Sequence, residues 1–318
     1  MHVFGPVPSR RLGMSLGINN IPPKICTYSC VYCQIGRSLK VTTERQSFYS
    51  PTLLLEEIRQ KIEQARQHNE AIDYLTFVPD GEPTLDKNLE TLLTQLKSLG
   101  LKLAVISNAS LIYLPEVRNA LLKANWVSLK VDTVSEEVWH RIDRPHRQLP
   151  FQQILDGMVA FAATFNGTLV TETMLVKGIN DAPEFIEETA QFIARLSPNT
   201  AYLSIPTRPP AEPWVEAPDT NRLNQAFQSF TRNGLNTEFL IGYEGNAFAF
   251  TGNAEEDILS ITAVHPMRED AVRAFLEKAK SDFGIIEKMV KENKLVRSEY
   301  NGHTFYLRPL RSSGGKTV

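Results

Sequence analysis

Between Pro51 and Thr251 the chain alternates short apolar runs with segments of helical periodicity, and this alternation constrains the fold more than any other feature of its 318 residues. Leu75–Val78, Leu101–Ile106, Trp126–Val131, Thr168–Val176 and Ala201–Ile205 are rich in β-branched residues and bounded by turn formers. Such runs read as buried strands. A further strand is expected at Leu16–Ile18. Between the runs, Leu53, Ile58, Ile62 and Ala65 fall on one helical face, as do Leu89, Leu92, Leu93 and Leu96 ahead of Gly100. Phe185, Ile186, Thr189, Ala190 and Ile193 do the same after Pro183. Consecutive parallel strands need a crossover, which a helix supplies, so the class is α/β with a parallel sheet. Periodicity leaves open whether that sheet is doubly wound or rolled into a barrel.

In parallel sheets chemistry gathers at the C-terminal ends of the strands. The polar residues that follow the apolar runs are therefore the candidates. Asp80-Gly81-Glu82-Pro83 follows the first run and Ser107-Asn108 ends the next. Lys130 and Asp132 stand two apart at the end of the third, which puts them on one face. Glu172 and Met174 lie on the fourth. Arg141, Arg144 and His146 follow the third run, Arg208 stands among prolines after the last, and Arg10 and Arg11 sit in a basic loop over Pro6–Gly13. Proline-fixed arginines clamp a carboxylate or phosphate, or else tie loops together.

Cys26, Cys30 and Cys33 are the only cysteines, in a C-x3-C-x2-C spacing. An odd count argues against a disulfide framework. Structural zinc is closed by four ligands, and iron–sulfur clusters normally take four thiolates. Three thiols on one loop with no fourth suggest a metal centre with an open position. The alternatives are buried thiols acting as small hydrophobes, or zinc completed by a distant histidine among His2, His68, His140, His146, His265 and His303.

The cysteine spacing, with the aromatic Tyr32 just before the last cysteine, resembles the cluster loop of the radical S-adenosylmethionine (SAM) superfamily. The resemblance implies a [4Fe–4S] cluster on Cys26, Cys30 and Cys33, and SAM bound at the free iron. It also implies a partial (β/α)6 TIM-like barrel over residues 1–251. Asp80-Gly81-Glu82-Pro83 is similar to the family's Gly-Gly-Glu-Pro motif, which receives the SAM amino group on backbone carbonyls; here Asp80 replaces the first glycine. The implied SAM site comprises Tyr32, Asp80, Gly81, Glu82, Ser107, Asn108 and Lys130, with Lys130 facing the SAM carboxylate. A flavodoxin- or ferredoxin-like electron donor follows. The Phe4–Gly13 opening, Arg144-Pro145-His146 and the Pro206–Pro210 stretch together resemble the subgroup named for the enzymes that form the wyosine base of transfer RNA. Those enzymes carry further cysteines for a second cluster, and this chain has none left. RNA or tRNA modification is thus the first substrate expectation, a peptide or protein the second. A non-enzymatic metal or iron–sulfur sensor that binds DNA is the rival from another class.

Composition, at 42% hydrophobic and 22% charged, is that of a soluble globular protein. No run of eighteen apolar residues predicts a membrane span, and the N-terminus does not read as a signal peptide, so a cytoplasmic location is expected. Past Thr251 the pattern changes. Helices are expected over Met267–Lys280 and Phe283–Glu292, then a hairpin over Lys294–Arg308 turning at Asn301-Gly302. This resembles a winged-helix domain, with bounds 252–311, followed by a disordered tail at 312–318. From His265 onward, 11 Lys and Arg face 7 Asp and Glu, a net of +4 on a chain whose total is −2. A basic end on an acidic body hints at a nucleic-acid or other acidic partner; the alternative is a solvated helical surface.

Overall fold

The computed structural model describes residues 2–240, 248–262 and 266–309. Its centre is an eight-stranded sheet in the order β1-β2-β5-β6-β7-β8-β9-β10. β1 (Val3–Ser9) pairs antiparallel with β2 (Gly13–Ile18). From β2 the pairing is parallel through β5 (Tyr74–Phe77), β6 (Lys102–Ser107), β7 (Trp126–Lys130), β8 (Thr168–Met174), β9 (Thr200–Ser204) and β10 (Thr237–Leu240). The crossovers are carried by α1 (Pro51–Gln67), α2 (Leu89–Leu96), α3 (Pro115–Leu121), α4 (Glu136–Ile142), α5 (Phe151–Ala162), α6 (Pro183–Leu196) and α7 (Thr220–Arg232).

The strand order follows the chain without reversal. A doubly wound sheet reverses, so that alternative is set aside. Right-handed crossovers in one direction put the helices on one face. The alternation of side chains agrees. Leu75, Phe77, Leu103, Val105, Val127, Leu129 and Leu203 pack with the helices. The opposite face carries Ala104, Trp126, Val170 and Tyr202, which gather with Leu12 and Leu240 in a second cluster. That second face is concave. Arg10, in the turn between β1 and β2, donates to the carbonyl of Leu240 at the end of β10, joining the two edges of the sheet. No strand pairing closes those edges among the described residues.

Four expectations need correction. The parallel run holds a seventh strand, β10, beyond the six expected. The segment expected as a basic loop is largely strand, since Pro6 and Pro8 lie in β1. Proline is tolerated there because β1 is an edge, where a missing N–H costs no ladder bond. On α1 the buried stripe is Leu54, Ile58, Ile62 and Ala65, with Leu53 43% exposed. Leu54 and Ile58 are four apart, the spacing that stacks side chains on one face. Finally, the helix expected from Met267 begins at Glu269, because Met267 and Arg268 pair with Tyr306 and Phe305 as a short strand, β11.

The C-terminal unit runs α8 (Ala254–Thr262), β11 (Met267–Arg268), α9 (Glu269–Lys278), α10 (Gly284–Lys291), β12 (Val296–Tyr300) and β13 (His303–Leu307). Its sheet order is β11-β13-β12. The hairpin turns at Asn301 and Gly302, both at positive φ (48° and 74°), as a two-residue turn demands. Ile258, Ile261, Met267, Phe275 and Met289 share one apolar cluster with Phe4 and Val7 of β1, so this unit is packed onto the sheet edge. The tail expected at 312–318 lies outside the described residues. Among the described residues no helix is long and apolar enough to cross a membrane.

Candidate active site

The cysteine loop leaves the sheet after β2 and is closed by a two-residue parallel ladder, β3 (Ile25–Cys26) with β4 (Lys40–Val41). Its backbone is tied on several sides. Ser29 and Val31 donate to the carbonyls of Asp143 and Ile142 at the end of α4. His146 N donates to Thr27 O, and Glu212 N to Val31 O. Arg37 grips Glu212 through two 2.9 Å bonds, and Arg144 binds the same carboxylate. Arg144 therefore ties loops; Glu212 is 4% exposed and already holds both guanidinium groups.

The Asp80–Pro83 turn lies directly against this loop. Lys24 N donates to Asp80 O (2.7 Å), and Gly81 bridges to Ile25. A Cβ on Gly81 would lie 1.9 Å from Ile25 O, so only glycine permits the approach. Glu82 is 1% exposed, and its carboxylate is an internal strut. It accepts from Thr84 N (3.0 Å), Thr84 Oγ1 (2.6 Å), Ser107 Oγ (2.7 Å) and Asn108 N (2.7 Å). Burial lifts its pKa, against the pull of those donors. Asn108 in turn donates to Thr27 Oγ1 (2.8 Å) and reaches Cys26 Sγ (3.5 Å). Thus Asp80, Gly81, Glu82, Ser107 and Asn108 are brought together around Cys26.

Tyr32 and Lys130 stand on the concave face, with Cys33, along a cavity of about 330 Å³. The ammonium of Lys130 lies 4.8 Å over the Tyr32 ring. It donates to Glu172 (3.1 Å) and lies 3.9 Å from Asp132, so its nearer partner is Glu172. Glu172 is also bound by Arg11. Burial pushes the Glu172 carboxyl up, but the Lys130 and Arg11 cations outweigh it and hold the group well below the usual carboxylate range. Arg208, 7% exposed, lines the same cavity and donates to Gln34. Lys130, Glu172 and Ser204, which lines the same cavity, share a face because they alternate with the helix-facing positions of their strands.

The sequence reading missed Asp143. It accepts from Cys30 Sγ (3.3 Å) and from the Tyr32 hydroxyl (3.1 Å), which also binds Asp132. Burial, with Asp132 next to it, raises its pKa. Nothing in its surroundings, Ile142 and Arg144, distinguishes it from a helix-end residue.

An ordered cysteine loop braced at one end of a parallel sheet, beside a concave cavity, defines a cofactor-binding α/β enzyme scaffold. The chain belongs to the radical SAM superfamily, whose family model matches residues 20–193. A UPF0026 protein of Methanocaldococcus jannaschii is 47% identical over 311 residues, covering 97% of this chain and 96% of its own length. Among solved structures, a radical SAM methyltransferase from Sphaerobacter thermophilus aligns with TM-score 0.54 and 15% identity, over 71% of this chain and 66% of that one. TYW1 with a lysine–pyruvate adduct bound aligns with TM-score 0.50 and 16% identity, over 69% and 73%. At these identities the likeness is one of fold.

The family implies SAM and an iron–sulfur cluster, and the donors here fit such a group. Burial, reinforced by Glu82, pushes the Cys26 thiol up to about 12, and burial also raises Cys30 and Cys33. Thiolates at these positions need a metal cation to remove the proton, as coordinating sulfur ordinarily receives.

Proposed function

We propose that the chain is a radical SAM enzyme with one [4Fe–4S] cluster on Cys26, Cys30 and Cys33. Held there, the cluster supplies an open iron and, with one electron from a flavodoxin- or ferredoxin-like donor, cleavage of SAM to methionine and a 5′-deoxyadenosyl radical that takes hydrogen from a substrate. The observation that carries this reading is the junction of three segments: Gly81 against Ile25, Glu82 on Ser107 and Asn108, and Asn108 on Cys26. The chain's own groups then divide the work. The Asp80–Glu82 turn offers backbone carbonyls to the SAM amino group. Lys130 meets the SAM carboxylate, exchanging part of its hold on Glu172. Tyr32 presents its ring beside Cys33 for the adenine.

The test is anaerobic reconstitution with iron and sulfide, then dithionite and SAM. We expect about four irons per chain and release of 5′-deoxyadenosine, abolished by Cys26→Ala, Cys30→Ala or Cys33→Ala. Zinc in place of iron, without SAM binding, overturns the reading and favours the sensor.

We read the C-terminal unit, with its α-β-α-α-β-β order and three-stranded sheet, as a winged helix. Four of its basic residues are already paired. Lys288 and Lys294 pair with Glu255 and Glu292, Arg273 with Glu269, and Arg297 with Glu299. Phosphate binding draws on cations that can release counterions. Full-length protein should therefore bind tRNA weakly, with a shallow salt slope. Tight binding with a steep slope restores tRNA modification as the leading substrate class over a peptide.

A further inference from the structure

A second and larger chamber, about 640 Å³, lies between the cysteine loop and the C-terminal unit. Its floor includes Ile35 and Leu39, and its roof includes Leu259 and Leu307. Gln34 and Ile35, which directly follow Cys33, line both this chamber and the cavity that holds Tyr32 and Lys130. They form the partition between the two.

Lys24 and Asp80 lie on the wall of this chamber. Both side chains are 9% exposed, and their charged atoms stand 3.6 Å apart, too far for a hydrogen bond. Lys24 Nζ and Asp80 Oδ1 are buried without a hydrogen-bond partner. A buried donor or acceptor left unmade costs about 1–3 kcal/mol, more when charged. The pair is held in place from behind, where Lys24 N donates to Asp80 O and Leu39 N and Lys40 N donate to Lys24 O. An ammonium and a carboxylate side by side, each with bonding capacity to spare, match a ligand that carries the same two charges in opposite order. Ile35, Leu39, Leu259 and Leu307 offer contact to a hydrocarbon or aromatic body, alongside the charged Glu292, Lys294 and Arg308 of the same lining. The volume falls within the range of about 300–1,000 Å³ usual for small-molecule sites.

We infer that this chamber binds an α-amino acid with a large apolar side chain, its carboxylate on Lys24 and its ammonium on Asp80. The inference deepens the radical SAM reading by placing a second small molecule one partition away from the cavity of Tyr32 and Lys130. Charge-assisted bonds on both ends are stronger than neutral ones, and a net-neutral ligand leaves no charge buried alone.

The experiment is calorimetry on the full-length, cluster-reconstituted chain, first with SAM and then with L-phenylalanine as probe. 3-Phenylpropanoate and 2-phenylethylamine serve as single-charge analogues. L-phenylalanine should bind at least tenfold tighter than either analogue, with SAM still bound. Asp80→Asn should weaken L-phenylalanine at least tenfold while sparing 3-phenylpropanoate. Leu39→Glu, at a position 57% exposed and so tolerant of change, should abolish L-phenylalanine binding and leave SAM binding intact. No L-phenylalanine binding by SAM-loaded protein, equal binding of the analogues, or displacement of SAM by L-phenylalanine overturns the second site. Failure to bind SAM at the first step strikes instead at the radical SAM reading itself.

Discussion

Gly81 lies so close to Ile25 that a methyl group on Gly81 would sit 1.9 Å from the Ile25 carbonyl oxygen. Its φ of +151° is a further barrier to any other residue. Gly81→Ala must push the Asp80–Pro83 turn away from the segment that ends in Cys26. We expect a loss of about 2 kcal/mol or more, the range of strain at special backbone positions. The displaced turn should also lower iron retained after reconstitution. Denaturant midpoints and iron content check both; wild-type values for the two would show that the contact is not needed.

Glu82 is the next most sensitive position. Its four donors come from Thr84, Ser107 and Asn108, so one buried carboxylate joins the turn after β5 to the end of β6. Glu82→Gln keeps the shape but turns an N–H toward donors. A buried polar group left unsatisfied costs about 1–3 kcal/mol. Equilibrium unfolding should show a loss in that range, and Glu82→Ala a larger one. A Gln variant as stable as wild type would mean that the carboxylate is not an acceptor in all four bonds.

These two residues show what the sequence made legible and what it did not. The Asp80–Pro83 turn stands out from its place after an apolar run, and Ser107-Asn108 stands out for the same reason. The parallel sheet follows from periodicity, which depends only on local spacing. That Glu82 bonds internally, while Lys130 faces the cavity, depends on how two strand ends meet. Periodicity carries no such information. Asp143 illustrates the limit: its contact with Cys30 exists because α4 ends beneath the cysteine loop, more than a hundred residues away in the chain. Leu53 and Leu54 illustrate another, since a one-residue error in helical phase turns a side chain to the solvent side. The edge strand β1 was hidden by its prolines, which argue against a strand anywhere but at an edge.

Lys130 and Glu172 should respond in opposite directions to substitution. Glu172 lies between Lys130 and Arg11, with both cations holding its charge. Glu172→Gln leaves two partly buried cations without their carboxylate, which should cost about 2 kcal/mol or more in unliganded protein. Lys130, left with Asp132 as its one carboxylate partner, is then better able to meet an anion, so SAM should raise the melting temperature of this variant more than that of wild type. Lys130→Met should weaken SAM binding about tenfold, the effect of losing one charge-assisted bond of about 1.4 kcal/mol. Iron content should be unchanged in both. Unaltered SAM affinity in Lys130→Met would return Lys130 to a purely structural pair with Glu172.

Asp86 gives the fold a pH dependence of unusual sign. It is fully buried, and its carboxylate accepts from Asn88 N (2.9 Å) and Asn20 Nδ2 (3.2 Å). Burial outweighs those donors and the Arg45 cation and lifts its pKa to about 6. In the unfolded chain an aspartate titrates near 3.9. Between those two values the folded state holds more protons than the unfolded state, so stability falls as pH rises through that window. The full difference is about 3 kcal/mol, at about 1.4 kcal/mol for each pKa unit. Asp86→Asn cannot ionise and should lose this contribution. Urea unfolding of the apo chain at pH 4.5 and pH 7 should show the variant gaining on wild type as pH increases. A gap between the two proteins that does not change with pH would mean that Asp86 titrates in the folded chain as it does in the unfolded one.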